Sequence, residues 1–351
     1  MSKGPDMNTD SKIFVAGGTG MVGAAIIEKL LEGGYANIVT NYYSRRSSET
    51  AASRVRSQRL DLTRQADVEA FFEQEKPEYV FLAAAKVGGI LANSTYRADF
   101  IYRNIMIAAN VIHAAYENGA KKLLNLGSSC IYPKFSPQPM KEEHLLTGTL
   151  EQTNEPYAIA KIAAIKLCRC YNEQYGTDFI SAMPTNLYGP HDNFDLRNSH
   201  VLPAMIRKFH EAKEASEKGD DSATVTLWGS GSPFREFLYT EDLAEACVFL
   251  MEKYRALDIG EIVNIGTGRD LTIRELAERV KSIVGFRGEV VWDATKPDGT
   301  PRKLLDVSRI TALGWKAKTG LEEGIGKVYA WYRENAGSAV LPPKTDGGGT
   351  S

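Results

Sequence analysis

Short apolar runs rich in β-branched and aromatic residues recur along the first half of the chain, separated by longer stretches of helical periodicity. These runs predict strands at residues 12–16, 37–41, 79–84, 122–126 and 179–183. Between the first two, Val22, Ile26 and Leu30 form one stripe of a helix that ends at Gly33 and Gly34. The alternation predicts an α/β fold, a Rossmann-type doubly wound parallel sheet covered by helices.

The pattern changes after residue 184. A charged, polar stretch at 211–222 interrupts the alternation, which predicts a smaller C-terminal α/β lobe. Helical patterns return at 241–250 and 273–284, and a strand is predicted at 262–265. The predicted organisation is a disordered tail at 1–11, a nucleotide-binding domain at 12–188 with a return segment at about 236–265, a substrate-binding lobe at 189–235 and 266–336, and a disordered tail at 337–351.

Composition excludes several classes of protein. The 351 residues carry 42 basic and 44 acidic side chains, so a charge of −2 offers no general attraction for nucleic acid or an acidic membrane. No apolar run approaches the ~18–20 residues of a membrane span. The four cysteines are too unevenly spaced for a disulfide framework or a zinc site. We therefore expect a cytoplasmic protein that needs no metal and holds any phosphate-bearing partner in a local site.

A glycine-rich segment follows the first predicted strand and opens the first helix. It comprises Gly17, Gly18, Thr19, Gly20, Met21, Val22 and Gly23. Glycines at these places let backbone N–H groups approach a pyrophosphate at the positive end of a helix. The alternative is a plain strand-to-helix turn, but the position after the first strand favours a dinucleotide. NAD or NADP is therefore the expected cofactor.

The end of the second strand distinguishes these two cofactors. An acidic residue there would bond the ribose 2′-hydroxyl and repel a 2′-phosphate. The segment 41–46 has no acid and ends in Arg45 and Arg46, which could clamp a phosphate through charge-assisted hydrogen bonds. The arginines favour NADP(H), with the alternative that both are solvated loop residues.

Tyr157 and Lys161 lie at i and i+4 of a predicted helix, so the lysine charge is expected to lower the tyrosine pKa towards neutrality. A phenol tuned in this way can act as a general acid. With 16 tyrosines in the chain, about one such pair arises by chance, so the neighbouring segments decide the interpretation. Ser128 follows the strand at 122–126, at the edge where α/β folds bind ligands, and can orient a carbonyl beside Tyr157.

The glycine loop, the group Ser128, Tyr157 and Lys161, and the appended lobe together resemble the extended short-chain dehydrogenase/reductase family. More narrowly, blocks along the chain resemble the members of that family that form GDP-L-fucose: residues 83–90, 127–134, 154–161, 184–194, 198–204, 235–238 and 296–306. The resemblance implies a bifunctional NADPH-dependent 3,5-epimerase and 4-reductase acting on GDP-4-keto-6-deoxy-D-mannose. The alternatives are another nucleotide-sugar epimerase or reductase of the family, and a cofactor-sensing protein that has lost catalysis.

The resemblance also implies roles for individual residues. Epimerisation beside a ketone needs one group to remove a proton and one to return it, and Cys130 and His200 match that pair. A lone cysteine after a strand is more often structural, and the matching blocks favour the catalytic interpretation. The implied cofactor contacts beyond the glycine loop are Leu126, Gly127, Ser128, Ser129, Lys161, Pro184, Thr185, Asn186, Leu187 and His200.

Matches to substrate-binding positions of the family are Lys208, Trp228, Arg235, Asp298 and Lys303. Trp228 can stack on a guanine, and Arg235 and Lys303 can neutralise a diphosphate. The alternatives are a core tryptophan and surface ion pairs. Lys208 stands where the family commonly has arginine, which keeps the charge but loses the bidentate fork and predicts weaker GDP binding.

Two further departures affect the cofactor side. The glycine loop reads GGTG where many relatives read GHRG, so an arginine is missing from it. The segment 44–59 is longer than in those relatives. It is either a basic flap over the adenosine 2′-phosphate or an insertion without a role.

The predicted helices at 98–118 and 157–175 carry more apolar surface than one sheet face needs. The apolar positions are Ile101, Ile105, Ala109 and Ile112 on the first helix and Ile162, Ile165 and Cys168 on the second. Such faces predict a homodimer joined by a four-helix contact, which the family resemblance also implies. Cys168, Cys170 and Cys247 are interpreted as core or interface residues.

Overall fold

A computed structural model of the chain describes residues 7–43, 51–196, 198–220, 222–296 and 298–339. Its strands are β1 (Ile13–Ala16), β2 (Ile38–Tyr42), β3 (Arg56–Arg59), β4 (Tyr79–Leu82), β5 (Lys122–Leu126), β6 (Phe179–Pro184), β7 (Asn186–Tyr188), β8 (Thr224–Trp228), β9 (Phe234–Tyr239), β10 (Val263–Ile265), β11 (Asp270–Thr272), β12 (Glu289–Asp293) and β13 (Arg302–Lys303). Its helices are α1 (Met21–Glu32), α2 (Gln65–Glu75), α3 (Ile90–Thr95), α4 (Arg97–Glu117), α5 (Glu155–Tyr175), α6 (Val201–Glu217), α7 (Thr240–Lys253), α8 (Ala256–Ile259), α9 (Ile273–Val284), α10 (Ser308–Ala312) and α11 (Leu321–Ala339).

Seven strands form one parallel sheet in the order β10, β6, β5, β4, β1, β2, β3. Every residue of β1, β4 and β5 is buried, as parallel strands covered on both faces require. The strand predicted at 262–265 joins this sheet as β10, beside β6. The prediction of a doubly wound α/β fold is therefore confirmed.

Helices cover both faces of this sheet. On one face α1 and α7 bury Ile26, Leu30, Leu243 and Leu250 in a common cluster. The opposite face is covered by α2, α4 and α5, and α4 packs along α5. Within the described ranges, none of the helices is long and apolar enough to span a membrane.

Strand β9 is the centre of a second, smaller sheet. It pairs with β11 in antiparallel register and with β7 and β13 in parallel register. Helices α6, α9 and α11 share an apolar cluster with this sheet. The charged stretch 211–222, which was predicted to interrupt the strand–helix alternation, lies in helix α6 as far as residue 217. Pro203 lies in the first turn of α6, where its missing N–H has no helical partner to lose.

Parts of the two predicted tails and of segment 44–59 form secondary structure or pack against the core. The tail predicted through residue 11 is too long, because Met7 is 9% exposed and packs in the same cluster as Tyr35. At the other end, α11 continues to Ala339. Within 44–59, residues 51–54 form a 3₁₀ helix and β3 adds an edge strand. Residues 44–50, with Arg45 and Arg46, lie outside the described residues.

The apolar faces of α4 and α5 differ from the prediction. Ile112, Ile165 and Cys168 are at most 1% exposed, because they fill the protein's own core beside the sheet. Tyr102 and Ile159 are exposed instead, at 62% and 40%. The apolar surface available to a partner is therefore smaller and differently placed than the sequence pattern predicts.

Candidate active site

The glycine loop joins the carboxyl end of β1 to the first turn of α1. Gly17 has a φ of +83°, and its N–H donates to Asn41 Oδ1 at 2.9 Å. A Cβ at Gly18 would lie 2.2 Å from Thr40 Oγ1, and one at Gly23 would lie 2.2 Å from the Gly17 carbonyl oxygen. These glycines hold strand, loop and helix in a contact that side chains would prevent. No side chain in the described part of the chain caps α1, so its first N–H groups fit the oxygens of a pyrophosphate.

The segment 184–187 carries the chain from the large sheet to the smaller one. The Thr185 N–H donates to the Ile265 carbonyl oxygen at 3.1 Å. The Thr185 hydroxyl and the Asn186 amide donate to the Glu236 carbonyl oxygen at 3.3 Å and 2.8 Å. This predicted cofactor segment is therefore held by both sheets.

Tyr157 and Lys161 lie on the first two turns of α5, beside the end of β5. The Lys161 Nζ donates to the Leu126 carbonyl oxygen at 2.7 Å and lies 5.7 Å from the centre of the Tyr157 ring. Burial lowers the pKa of Lys161 to about 8 and raises the pKa of Tyr157. The expected lowering of the tyrosine pKa is therefore wrong for this geometry, because desolvation outweighs an ammonium that is bonded to Leu126. A neutral phenol is the form that can donate a proton.

Ser128 and Cys130 follow β5 in a short 3₁₀ turn. Cys130 is 6% exposed, and its N–H donates to Ser128 Oγ at 3.4 Å. Burial raises the pKa of the Cys130 thiol, and the ammonium of Lys303, the Ser128 hydroxyl and the ammonium of Lys161 oppose that rise. The charge of a Cys130 thiolate in turn adds to the raised pKa of Tyr157. The structure thus brings together Ser128, Cys130, Tyr157, Lys161 and Lys303.

His200 lies at the start of α6, where it is the cap residue with extended backbone. Its segment contacts the loop after β4, because the Gly89 N–H donates to the Asn198 carbonyl oxygen at 3.1 Å. The residue is exposed at the surface, and the protein atoms around its ring still lower the pKa of the imidazole by partial desolvation, so its neutral form predominates at pH 7. Among the described residues no hydrogen bond joins this imidazole to Cys130. The pairing of these two side chains stays a prediction.

Arg235 and Lys303 are register partners on the adjacent strands β9 and β13. Burial lowers the pKa of both, that of Arg235 to about 10, while Asp298 opposes the shift at Arg235. Burial disfavours the charged forms of these two neighbouring side chains. A dianionic diphosphate would stabilise both charges by ion pairing, so the pair suits such a ligand. The charge of Lys303 also interacts with the Cys130 thiol. The predicted substrate-binding residues therefore lie next to the predicted catalytic cysteine.

The remaining predicted substrate residues surround the end of β8. Trp228 is 57% exposed, which excludes a core tryptophan, and Lys296 Nζ lies 5.6 Å from its ring centre. Asp298 accepts from the Ser230 N–H at 2.7 Å and from its hydroxyl at 2.8 Å, so it anchors the turn after Trp228. The Lys208 Nζ donates to a β8 carbonyl oxygen at 2.8 Å.

Glu236 is a buried carboxylate for which the sequence predicted no role. Its side chain is 0% exposed and accepts from the N–H groups of Thr267 at 2.6 Å, Gly268 at 2.7 Å and Leu305 at 2.9 Å. Burial raises the pKa of Glu236, and these backbone hydrogen bonds oppose the rise. The carboxylate therefore fixes the chain just after Lys303 to β9. The available signal was an acid inside the apolar strand FREFLY.

A family model described as the NAD dependent epimerase/dehydratase family matches residues 13–266. The chain belongs to this family. GDP-L-fucose synthase 1 of Arabidopsis thaliana is 59% identical over 325 residues, covering 93% of this chain and 94% of that protein. GDP-L-fucose synthase of Escherichia coli (strain K12) is 52% identical over 330 residues, covering 92% and 97%.

Among solved structures, a GDP-mannoheptose C4 reductase from Campylobacter jejuni with NADP bound is 41% identical. Its TM-score to this chain is 0.81, covering 93% of this chain and 99% of that one. The NAD dependent epimerase/dehydratase match ends at residue 266, so Asp298 and Lys303 lie beyond the part that defines the family.

Proposed function

We propose that the chain is a bifunctional NADPH-dependent 3,5-epimerase and 4-reductase that converts GDP-4-keto-6-deoxy-D-mannose to GDP-L-fucose. The observation that carries this proposal is a thiol, Cys130, placed among Ser128, Tyr157 and Lys161. Reduction of a ketone needs a proton donor and a hydride, whereas epimerisation also needs a group that exchanges protons with carbon. The identity of 52% and 59% to two GDP-L-fucose synthases supports the same substrate.

Ser128 and Tyr157 hold the C4 carbonyl oxygen of the sugar. Their hydroxyl groups stabilise the negative charge on that oxygen each time C3 or C5 loses its proton. Tyr157, which burial keeps neutral, finally donates its proton to the same oxygen. When bound, NADPH supplies the hydride that reduces C4.

Cys130 and His200 move the protons at carbon. Two ammonium groups, on Lys303 and Lys161, counteract the burial of the thiol and favour its thiolate. The lowered pKa of His200 leaves the imidazole able to accept a proton at neutral pH. In each inversion the deprotonated member of the pair removes a proton from one face of the sugar, and the other member, in its protonated form, donates a proton to the opposite face, which inverts the carbon.

NADP(H) is the proposed cofactor, held by the glycine loop, the segment 184–187 and Lys161. A Cβ at Gly23 would collide with main-chain atoms of Gly17 and Gly18, so glycine here keeps the loop tight at the start of α1, where main-chain N–H groups can bind the pyrophosphate. The NADP-bound relative at 41% identity supports the choice. Arg235 and Lys303 bind the substrate diphosphate, and the exposed ring of Trp228 stacks on guanine.

The decisive experiment follows NADPH absorbance on addition of GDP-4-keto-6-deoxy-D-mannose and identifies the sugar product by NMR. Wild type should oxidise NADPH and form GDP-L-fucose. Cys130→Ser should lower epimerisation about 10²- to 10⁴-fold, measured as deuterium incorporation at C3 and C5 in D₂O. Cys170→Ser changes an exposed cysteine of α5 and serves as the matched control. NADPH left unconsumed by wild type would overturn the proposal.

The second candidate is a C4 reductase that leaves C3 and C5 unchanged. The observation that favours it is the likeness to the GDP-mannoheptose C4 reductase. Product stereochemistry separates the two, because reduction alone yields an uninverted sugar and no deuterium at C3 or C5.

A homodimer formed by the exposed sides of α4 and α5 is also proposed. Tyr102 of α4 and Ile159 of α5 are exposed apolar side chains of these helices, at 62% and 40%. Sedimentation equilibrium should give a dimer for wild type and a monomer for the double variant Tyr102→Arg, Ile159→Arg. A wild-type monomer at micromolar concentration would contradict this assembly.

A further inference from the structure

Arg103 brings a positive charge to the carboxyl edge of the large sheet. Its guanidinium carbon lies 5.5 Å from the ring centre of Tyr43, and its Nη2 donates to the Tyr43 hydroxyl at 3.3 Å. Tyr43 directly follows β2, whereas Arg103 belongs to α4, so a distant part of the chain supplies this contact. In dinucleotide-binding sheets, the end of the second strand faces the 2′-oxygen of the adenosine ribose.

The direction of Arg103 is set by its neighbour in α4. Asn104 is 4% exposed, its Oδ1 accepts from the Lys86 N–H at 2.9 Å, and its Nδ2 donates to the Lys86 carbonyl oxygen at 3.0 Å. Rotation of α4 about its axis would break both hydrogen bonds and leave a buried amide without partners. The fold therefore holds Arg103 towards the end of β2.

The charge of Arg103 is available to a ligand. The carboxylate one turn earlier in α4, Asp99, is bonded to Lys86 Nζ at 3.0 Å. Over the ranges that the structure describes, Arg103 forms no salt bridge within 4.0 Å, although its charge adds to that of Lys86 in lowering the pKa of Asp99. Its hydrogen bond to the neutral Tyr43 hydroxyl at 3.3 Å is long. A phosphate would offer two charged oxygens in the geometry of the guanidinium fork. Tyr43 is 45% exposed, so such a group can reach both side chains.

The glycine loop itself supplies no cation, and Arg45 and Arg46, which the sequence predicts to bind this phosphate, lie outside the described residues. Residues 17–23 contain glycine, threonine, methionine and valine only. A 2′-phosphate carries nearly two negative charges, and a site that distinguishes it from a hydroxyl needs a charged donor. We propose that Arg103 and Tyr43 bind the 2′-phosphate of the adenosine and set a preference for NADP(H) over NAD(H). This inference rests on the proposed function only through the choice of cofactor.

Calorimetric titration of the full chain with 2′,5′-ADP and with 5′-AMP tests it, because the two ligands differ only in the 2′-phosphate. Wild type should bind 2′,5′-ADP more tightly. Arg103→Met should lose about 10- to 100-fold in affinity for 2′,5′-ADP, the usual worth of a charged hydrogen bond, and keep its affinity for 5′-AMP. The affinity of Arg103→Lys for 2′,5′-ADP should lie between those of wild type and Arg103→Met, since lysine keeps the charge and loses the bidentate geometry of the guanidinium.

Arg287→Met is the matched control, because Arg287 is an exposed arginine in the loop after α9. It should bind both ligands as wild type does. Equal binding of 2′,5′-ADP by wild type and Arg103→Met would overturn the assignment, and so would equal binding of both ligands by wild type. A sugar product other than GDP-L-fucose would refute the proposed function and leave this binding comparison untouched.

Discussion

The proposed cofactor side and the proposed substrate side of the site are built in opposite ways. The proposed cofactor side is one continuous glycine loop, in which a Cβ at Gly17 or Gly23 would collide with main-chain atoms. The substrate side consists of charged side chains from separate strands, Arg235 and Lys303, which the buried carboxylate of Glu236 helps to align. A site made of main-chain atoms in one loop is disrupted by an added side chain. A site made of side chains from separate strands is disrupted by loss of the residue that connects those strands.

The largest effect is expected from Gly23→Ala, which breaks the cofactor side alone. The new Cβ would lie 2.2 Å from the Gly17 carbonyl oxygen and 2.7 Å from Gly18 Cα, and backbone atoms cannot rotate away. Overpacking of this kind costs about 1–3 kcal/mol, which the free loop relieves by leaving the geometry that the pyrophosphate requires. Binding must restore that geometry, so NADPH affinity should fall about 5- to 150-fold while GDP affinity holds. Fluorescence titration measures both. Gly326→Ala, where the new Cβ meets no atom within 4 Å, should change neither.

The next effect concerns Lys161, which lies between the two sides and has a pKa of about 8. Above that pH it loses the charge that favours the Cys130 thiolate, so turnover should be about tenfold lower at pH 9 than at pH 7. The free energy of unfolding should instead increase as the pH rises. Because the folded pKa lies below the usual lysine value, charged Lys161 destabilises the fold below pH 8, and this cost is relieved as pH rises towards 10.

Turnover and thermal unfolding recorded over the same pH series separate these two trends. Lys161→Arg stays charged throughout, so any activity that it retains should show no decline near pH 8. An alkaline decline of equal size in that variant would assign the titration to another group.

Glu236→Gln tests the substrate side and should give the smallest effect. Its amide cannot accept from all three N–H groups, so the chain after Lys303 should loosen and GDP affinity should fall about fivefold, which is about 1 kcal/mol. NADPH affinity should change little, because Thr185 and Asn186 bond to the main-chain carbonyl of Glu236. Glu289→Gln alters an exposed strand residue and is the control. Equal losses of GDP affinity and NADPH affinity in Glu236→Gln would show that the two sides of the site do not act independently.

The same contrast explains how much the sequence could predict. The glycine loop, the strands β1, β2, β4, β5, β6 and β10, and the turn with Ser128 and Cys130 are each contiguous segments, and the pattern of each was sufficient to place it. Glu236 was not predicted to matter, because its partners follow β10 and β13 and only folding brings them to β9. The pKa of Tyr157 was predicted in the wrong direction, since spacing along a helix shows the nearby lysine and not the extent of burial. Edge strand β3 was missed because its sequence, RSQR, is polar.

Glu236 also connects the two proposed binding sites through one strand. Its main-chain carbonyl accepts from Asn186 in the proposed cofactor segment, and its carboxylate holds the chain next to Lys303 in the proposed substrate site. If a ligand of one site displaces β9, the contacts of the other site move with it. Reciprocity then requires that the two proposed ligands change each other's affinity by the same factor, whichever binds first.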